Sequence, residues 1–183
     1  MDAAAIQNAL RGWVAVATGI TLASVIMADQ DGPRPAKPFA TVRLSAVLPL
    51  GAYDGVYTSM VAGTPDPGEE VLVTVAGHRE LVVSIQVFTA TTQGSASALV
   101  LANKLKSAAS LPSQQAVFDA AGASLFEVGQ VRDLSAVFRT ANEGRAQVDA
   151  RLYATESLTE TTTYIETAVV NEGDPNEFTA PEA

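Results

Sequence analysis

The sequence predicts an α+β fold, in which a mostly antiparallel sheet with a β-hairpin packs against two or three helices. Apolar residues recur at helical spacing near the N terminus and alternate with polar residues in several later segments. With 183 residues, 48% of them hydrophobic, the chain can bury the core of one domain. We expect this domain to span residues 1–170, with an extended loop or arm, and an acidic flexible tail to follow over 171–183.

The first predicted element is a helix over residues 2–18, which Asp2 caps and Gly19 ends. Its apolar stripe consists of Ile6, Leu10, Trp13, Val14 and Ala17. The apolar run then continues into a short strand over 24–28. A secretory signal segment is the alternative for this part of the chain, although only Arg11 supplies the positive charge that such a segment needs.

A strand with alternating apolar and polar residues is predicted over 39–48, after a turn-rich segment over 29–35 that contains two prolines. Residues 49–69 are rich in Gly, Pro, Asp and Ser. This composition predicts a long loop, or an extended β-arm whose pairing needs a neighbouring molecule.

The predicted hairpin has strands over 71–75 and 81–88, and residues 76–80 form its turn. Gly77 stands where such a turn needs a positive φ. His78 is the sole histidine of the chain, and in this arrangement it is a solvated turn residue.

Two further helices are predicted after the hairpin. The first covers residues 95–109. The second runs from a cap at Ser113 to residue 121, with Val117 and Ala121 in the core. A strand over 123–128 follows.

The C-terminal part is predicted to contain a connecting segment over 131–144, with one helical turn at 134–138, and a long strand over 145–155. Residues 164–170 form a last strand or arm. The tail beyond them has four acidic residues and no basic one, and it supplies −4 of the net charge of −9.

The residue content excludes several classes of catalytic and metal site. The chain has no cysteine and one histidine, which removes thiolate zinc sites and cysteine nucleophiles. No phosphate-binding loop occurs, and residues 29–32 begin like a calcium loop but Ala40 stands at the acidic twelfth position. We expect no enzyme activity, no cofactor and no metal. The enzymatic alternative is a small hydrolase with these candidate groups: His78, Asp29, Asp31 and Asp149.

The arginines are unevenly distributed, because half of them lie in the segment 132–151, among several acids. One interpretation is a set of intrachain ion pairs on a solvated face. Another is ion pairing between subunits, which would determine how the subunits align more than how tightly they bind. The negative total argues against a chain that coats nucleic acid with its whole surface.

Several short motifs, taken in order, resemble those of the phage neck terminator (tail completion) proteins. They are V-I-M-A-D-Q, P-R-P, A-T-V-R-L, V-S-I-Q-V-F, V-G-Q-V-R-D-L, E-G-R-A-Q-V-D-A-R-L-Y and Y-I-E-T. The resemblance covers most of residues 6–168. Its most specific parts are residues 28–30 with Pro33, Arg34 and Pro35, and the later set Glu143, Arg145, Ala146, Gln147 and Asp149.

The resemblance implies a virion structural protein whose subunits form a ring, typically a hexamer. Such a ring caps the tail tube, stops tail polymerisation and joins the tube to the head-side connector or stopper, while DNA passes through the lumen. The implied partners are further copies of the chain, the tail tube protein, the connector and the tail sheath, with no membrane. The implied location is the neck of the virion, after assembly in the host cytoplasm. The alternatives are another neck ring protein, such as a head-completion stopper or an adaptor, and a secreted or periplasmic binding module.

A closed ring joins two different faces of neighbouring subunits. We expect the hairpin and the 49–69 arm on one face and the 131–151 segment on the other, with acids lining the lumen so that DNA slides through it. The candidate interface residues are Asp29, Gln30, Arg34, Tyr53, Tyr57, Arg132, Arg139, Glu143, Arg145, Asp149 and Arg151.

Overall fold

The computed structural model describes residues 1–60, 71–90, 92–138 and 141–162, and it has the predicted α+β architecture. Over these residues there are three α-helices and seven strands. The helices are α1 (Ala3–Thr18), α2 (Ala98–Ala109) and α3 (Pro112–Ala120). The strands are β1 (Val25–Met27), β2 (Phe39–Met60), β3 (Val71–Thr89), β4 (Ala123–Val128), β5 (Arg132–Asp133), β6 (Ala136–Phe138) and β7 (Ala141–Thr162).

The chain divides into two compact units. The first comprises Met1–Gly55 and Ala76–Ser157, and it contains the helices and the hydrophobic core. The second comprises Val56–Val75 and Leu158–Ala183, and its described part consists of terminal parts of β2, β3 and β7. The domain boundary predicted at residue 170 lies outside the described residues.

The sheet has the strand order β1-β2-β3-β7-β4, and β5 and β6 also pair with β7. β1 is parallel to β2, with Val25 opposite Ala40, whereas β4, β5 and β6 are antiparallel to β7. β2 is also antiparallel to β3, and β3 is antiparallel to β7. In each pair, residues later in one strand contact residues earlier in the other. The contacts are Phe39–Phe88 and Asp54–Arg79 for the first pair, and His78–Thr155 and Gln86–Gln147 for the second.

The core lies between the three helices and one face of the sheet. α1 and α3 meet through Trp13 and Phe118, both fully buried, whose ring centroids lie 5.8 Å apart in an edge-to-face arrangement. The strands contribute Val42, Leu81, Val83, Ile85, Val87, Ala146, Val148, Ala150 and Leu152. All three helices contribute buried side chains to this core. They therefore lie on one face of the sheet, and none of these three helices covers the opposite face.

The N-terminal helix begins and ends where the sequence predicts. The Asp2 carboxylate accepts a hydrogen bond from the Ala5 N–H at 3.0 Å. Gly19 has a φ of 76°, and its N–H donates to the Ala15 carbonyl at 2.9 Å. The predicted division of the apolar run into a helix and the short strand β1 is confirmed. No helix of the described chain is both long and apolar enough to cross a membrane.

The start of α3 differs from the prediction. Pro112 is its first residue and Leu111 precedes it, so Ser113 lies inside the first turn and is not the cap. Proline suits this position because its missing N–H would have no helical partner there. The prediction that Val117 is a core residue is also wrong: its side chain is 42% exposed, and Phe118 is buried in its place. Ala121 packs against the core as predicted.

The hairpin predicted over residues 71–88 is wrong, because Val71–Thr89 is one uninterrupted strand. Gly77 does not have a positive φ. A side chain at this position would overlap the carboxylate of Asp54 and the guanidinium of Arg79. The close approach of these groups, and not a turn, therefore requires the glycine. His78 accordingly lies within the strand.

The 49–69 segment is in part a strand. β2 continues to Met60 and pairs with β3 of the same chain, while residues 61–70 lie outside the described chain. Residues 49–60 are therefore extended, as the arm interpretation predicts, but the expectation that their pairing needs a neighbouring molecule is wrong, because β3 of the same chain is the partner.

The helical turn predicted at 134–138 is wrong, because β5 and β6 pair with β7 in this segment. The Asp133 carboxylate accepts hydrogen bonds from the N–H and the hydroxyl of Ser135, at 2.9 and 2.6 Å. This local bonding satisfies the backbone at the bend without a helix. β7 extends the predicted strand at both ends. The last strand or arm predicted at 164–170 and the acidic tail lie outside the described residues.

Candidate subunit interface on the open face of the sheet

The face of the sheet opposite the helices carries polar and aromatic side chains, and we call it the open face. Gln86 and Phe88 of β3, and Arg145, Gln147 and Asp149 of β7, alternate with core residues and therefore point to it. Phe88 is only 5% exposed, and the four polar side chains are half-buried. The side chains of the open face are thus packed against one another and are not fully solvated.

Two stacked rings form the centre of this face. Phe39 and Phe88 have centroids 4.6 Å apart and ring planes inclined by 8°. The Cζ atom of Arg145 lies 5.4 Å from the Phe88 centroid, and that of Arg34 lies 5.9 Å from it. Cations at this distance are attracted by the ring quadrupole. These four residues, the Phe88 cluster, join the P-R-P motif to the E-x-R-A-Q-x-D motif.

Arg145 begins a chain of hydrogen bonds along β7. Its Nη2 donates to the Gln86 side-chain oxygen at 2.8 Å. The Gln86 amide donates to Gln147 at 3.4 Å, and the Gln147 amide donates to the Asp149 carboxylate at 3.1 Å. The Nε of Arg145 is buried and has no hydrogen-bond partner among the described residues. The neutral side chain of Gln86 and the ring of Phe88 therefore hold this guanidinium in place.

Glu143 is used in an internal ion pair. Its carboxylate lies 2.5 Å from the Lys37 ammonium, and the side chains are 16% and 31% exposed. This pair fastens the segment before β2 to β7. The same segment carries Arg34, so the ion pair helps to bring that arginine to the open face.

Three more ion pairs connect charged side chains of the strands and of the turn after β1. Arg151 lies 3.3 Å from Glu80 and 3.7 Å from Glu127. Arg43 lies 3.4 Å from Asp29, with side chains 61% and 69% exposed. The Arg43–Asp29 and Arg151–Glu127 pairs contribute little to stability, because both side chains of each pair are more than half exposed. The intrachain interpretation of the charged residues therefore applies to Glu143 and Arg151, whereas Arg145 bonds to neutral groups.

The other predicted interface residues are not members of the Phe88 cluster. Gln30 is exposed in the turn after β1, and Arg132 is exposed on β5 opposite Gln147. Tyr57 is 63% exposed and belongs to the second unit. For Tyr53 only the backbone position within β2 is described, and Arg139 lies outside the described residues.

Sequence reasoning missed a three-strand ion cluster around Arg79. Its guanidinium donates to the Asp54 carboxylate of β2 at 2.6 and 2.8 Å, and to Glu156 of β7 at 3.0 Å. The hydrogen bonds from Arg79 lower the pKa of Asp54, and the two carboxylates, Asp54 first, raise the pKa of Arg79. A charged residue two positions after a glycine, between two apolar runs, was the available signal. The cluster ties β2, β3 and β7 together.

Three of the four groups of the hydrolase hypothesis have other partners, and the fourth, Asp31, is exposed after β1. A ring nitrogen of His78 is hydrogen-bonded to the Thr155 hydroxyl at 3.2 Å. Asp149 accepts from Gln147, and Asp29 faces Arg43. Within the described ranges, no group of three or more His, Cys, Asp or Glu side chains is placed to hold a metal ion. The geometry favours packing and association over acid–base chemistry.

Fold and site together define a small α+β protein with helices on one side of a mostly antiparallel sheet and a packed polar and aromatic surface on the other. The model of the phage neck terminator protein family matches residues 4–177, nearly the whole chain. The chain therefore belongs to the phage neck terminator protein family, and it is a structural component of the virion neck. Comparison with curated proteins found no match.

Proposed function

We propose that this chain is the subunit of a closed ring of six copies that caps the tail tube and joins it to the head-side connector or stopper. It acts as a structural part and not as an enzyme, and DNA passes through the lumen of the ring. Membership of the neck terminator family supports this role. One observation supports an assembly surface above all. Arg34 and Arg145, which belong to the two most specific motifs, both approach the ring of Phe88.

The Phe88 cluster suits contact with an acidic partner. Arg145 bonds to the neutral Gln86, and the contact found for Arg34 within the described chain is the ring of Phe88. Two arginines that pair with no carboxylate among the described residues attract acidic side chains, and the chain itself has 20 acids against 11 bases. Arginine and aromatic residues are enriched in the centres of interfaces. An acidic surface of the neighbouring subunit is the proposed partner.

The second face of the ring contact is assigned to the arm, the part of β2, β3 and β7 in the second unit. Its exposed apolar side chains are Val56 (64%), Tyr57 (63%), Val75 (36%) and Leu158 (73%). Apolar side chains gathered on a short stretch of sheet favour burial against another protein. We infer that the arm and the 131–151 segment each contribute to one of the two different surfaces that meet in a ring contact.

The charge of the chain suits a lumen through which DNA moves. A net charge of −9 gives weak or repulsive contact with phosphates, which avoids trapping the DNA. Assembly takes place in the host cytoplasm, and in a contractile tail the sheath is a further neighbour of the ring. These roles need surfaces and not reactive groups.

The test is the absolute mass of the purified protein by light scattering, alone and with the cognate tail tube protein. We expect six times the subunit mass of 19.0 kDa, at least when tubes are present. Arg34→Gln and Arg145→Gln should weaken ring formation, whereas Lys104→Gln, on the exposed side of α2, should not. A strict monomer that ignores tubes and connectors would overturn the proposal.

A further inference from the structure

We propose that neighbouring subunits are joined by strand addition, with β4 of one copy continuing the sheet beside β2 of the next. This inference rests on the ring of the proposed function and specifies how its lateral contact is made. The occupant of each sheet edge is therefore a second copy of this chain.

The two edges of the sheet are β4 and the outer side of β2. β4 ends the strand order on one side, and β1 ends it on the other but covers β2 only as far as Val42. Within the described ranges, no strand pairs with the outer side of β2 beyond that residue. An open edge presents backbone N–H and C=O groups that can pair with another chain.

Both edges carry exposed apolar side chains. On β2, Val47 is 43% and Leu48 is 46% exposed, and on β4, Phe126 is 61% exposed. Proteins commonly protect an edge with proline or with inward charges. On β2 the proline comes at Pro49, so the segment 43–48 is free to pair and is as long as β4.

The strand directions make the two edges compatible. β2 is antiparallel to β3, β3 to β7, and β7 to β4, so a copy in the same orientation presents its β4 antiparallel to β2. Side-chain alternation then indicates the register. Leu44 and Leu125 both pack against the core side, and Ser45 and Ser124 are both exposed. We infer that Ser45 lies opposite Ser124, and Leu44 opposite Leu125.

The bulge in β4 fits this register. The pairing of β4 with β7 shifts between Leu125 and Glu127, so that Phe126 and Glu127 are both exposed. In the inferred pairing these two residues come opposite Arg43, whose side chain is 61% exposed and lies 3.4 Å from Asp29. The Glu127 side chain is 52% exposed and lies 3.7 Å from an arginine of β7. Opposite charges therefore meet across the contact.

A shallow cleft opens beside this part of β2, where β1 ends. It is lined by Gln7, Met27, Asp29, Gln30 and Leu44. The A-D-Q motif therefore lies at the open edge, and the cleft leaves room for the end of an added β4. This placement links a motif of the resemblance to the strand edge.

Cysteine cross-linking tests the register, because the chain has no cysteine to give a background. Directly opposed residues on antiparallel strands have Cβ atoms about 4.5–5.5 Å apart, which a disulfide can bridge after a small shift. Mild oxidation of the double variant Ser45→Cys/Ser124→Cys, with tail tubes present, should give a ladder of covalent oligomers. Mass spectrometry should identify the peptides that contain residues 45 and 124 as the linked pair. The control, Ser45→Cys/Ser110→Cys, places its second cysteine at the exposed end of α2 and should give no ladder.

Charge exchange gives a second, independent measurement. Arg43→Glu alone and Glu127→Arg alone should each raise the concentration needed for half-maximal assembly about fivefold. The two changes together should restore assembly.

The outcomes separate this inference from the proposed function. A ring of normal mass with no 45–124 link, or a ladder that the control variant also gives, overturns strand addition and leaves the ring role standing. Failure of the combined charge exchange to restore assembly counts against the inferred register in the same way. A chain that stays monomeric, alone and with tubes, overturns both.

Discussion

Replacing Phe88 by leucine tests whether aromatic contacts, and not burial alone, hold the Phe88 cluster. Leucine keeps most of the buried apolar surface but loses the stack on Phe39 at 4.6 Å and the ring near two guanidinium groups at 5.4 and 5.9 Å. An aromatic pair contributes about 0.5–1.5 kcal/mol beyond burial. A cation that stays in contact with solvent beside an aromatic ring contributes about 0.5–1 kcal/mol. With the lower value for the exposed Arg34, the free energy of unfolding should fall by about 2 kcal/mol.

Urea unfolding measures this change through the fluorescence of Trp13, the sole tryptophan, which is fully buried in the native state. In thermal unfolding the same loss corresponds to a Tm lower by about 4–8 °C for a domain of this size. The matched control is Phe126→Leu, because that ring is 61% exposed and contacts Tyr153 at 4.8 Å in a tilted arrangement. It should change stability by less than about 0.5 kcal/mol. Equal losses for the two variants would refute the aromatic account of the cluster.

Three further predictions follow from the described contacts. Gly77→Val should lower the Tm, because the added side chain would overlap Asp54 and Arg79. Gly12→Ala should raise stability by up to about 1 kcal/mol, because an added Cβ has nothing within 4 Å and alanine favours the helix. Thermal denaturation followed by circular dichroism compares the two variants. Hydrogen bonds from Arg79 hold the pKa of Asp54 below its ordinary value of 3.8, so the stability that they supply is present above that value and is lost as pH falls through the folded-state pKa. Asp54→Asn should therefore flatten the acid side of the stability curve, and an acid titration identical to that of the parent chain would contradict this assignment. Phe118→Ala should cost about 3–5 kcal/mol in urea unfolding, because the ring is fully buried against α1, and a loss below about 1 kcal/mol would show that the core does not depend on this contact.

Elements whose signals are local could be predicted from the sequence. The ends of α1 depend on Asp2 and Gly19, which act within one turn of the helix, and both were placed correctly. β4 has the predicted bounds for the same reason, since its residues stand between Gly122 and Gly129.

Elements whose signals come from a distant strand could not be predicted. Gly77 has the appearance of a turn residue, but its role depends on the Asp54 carboxylate of another strand. β5 and β6 form because they pair with β7, and this pairing overrides the helical turn that the apolar spacing of residues 134–138 suggests.

The Phe88 cluster was only partly predictable. The motifs with Arg34 and Arg145 were singled out, but nothing local indicated that both would approach one ring. The bond between Gln86 and Arg145 became visible only with the strand order. Pairing between strands far apart in sequence decides such contacts, and the periodicity of a single segment does not encode it.

The position of β7 within the sheet has a consequence for synthesis on the ribosome. β7 is the last described strand in the sequence, yet it lies between β3 and β4, which have both emerged earlier. Until residues 141–162 leave the exit tunnel, the nascent chain has two strand edges that wait for the same partner, and Arg145 has not yet reached Phe88. Completion of the sheet and completion of the open face are therefore a single late event. A chain cut short before β7 lacks Arg145 and cannot form the Phe88 cluster. Under the proposed ring, such truncated copies would be excluded from assembly without a separate checkpoint.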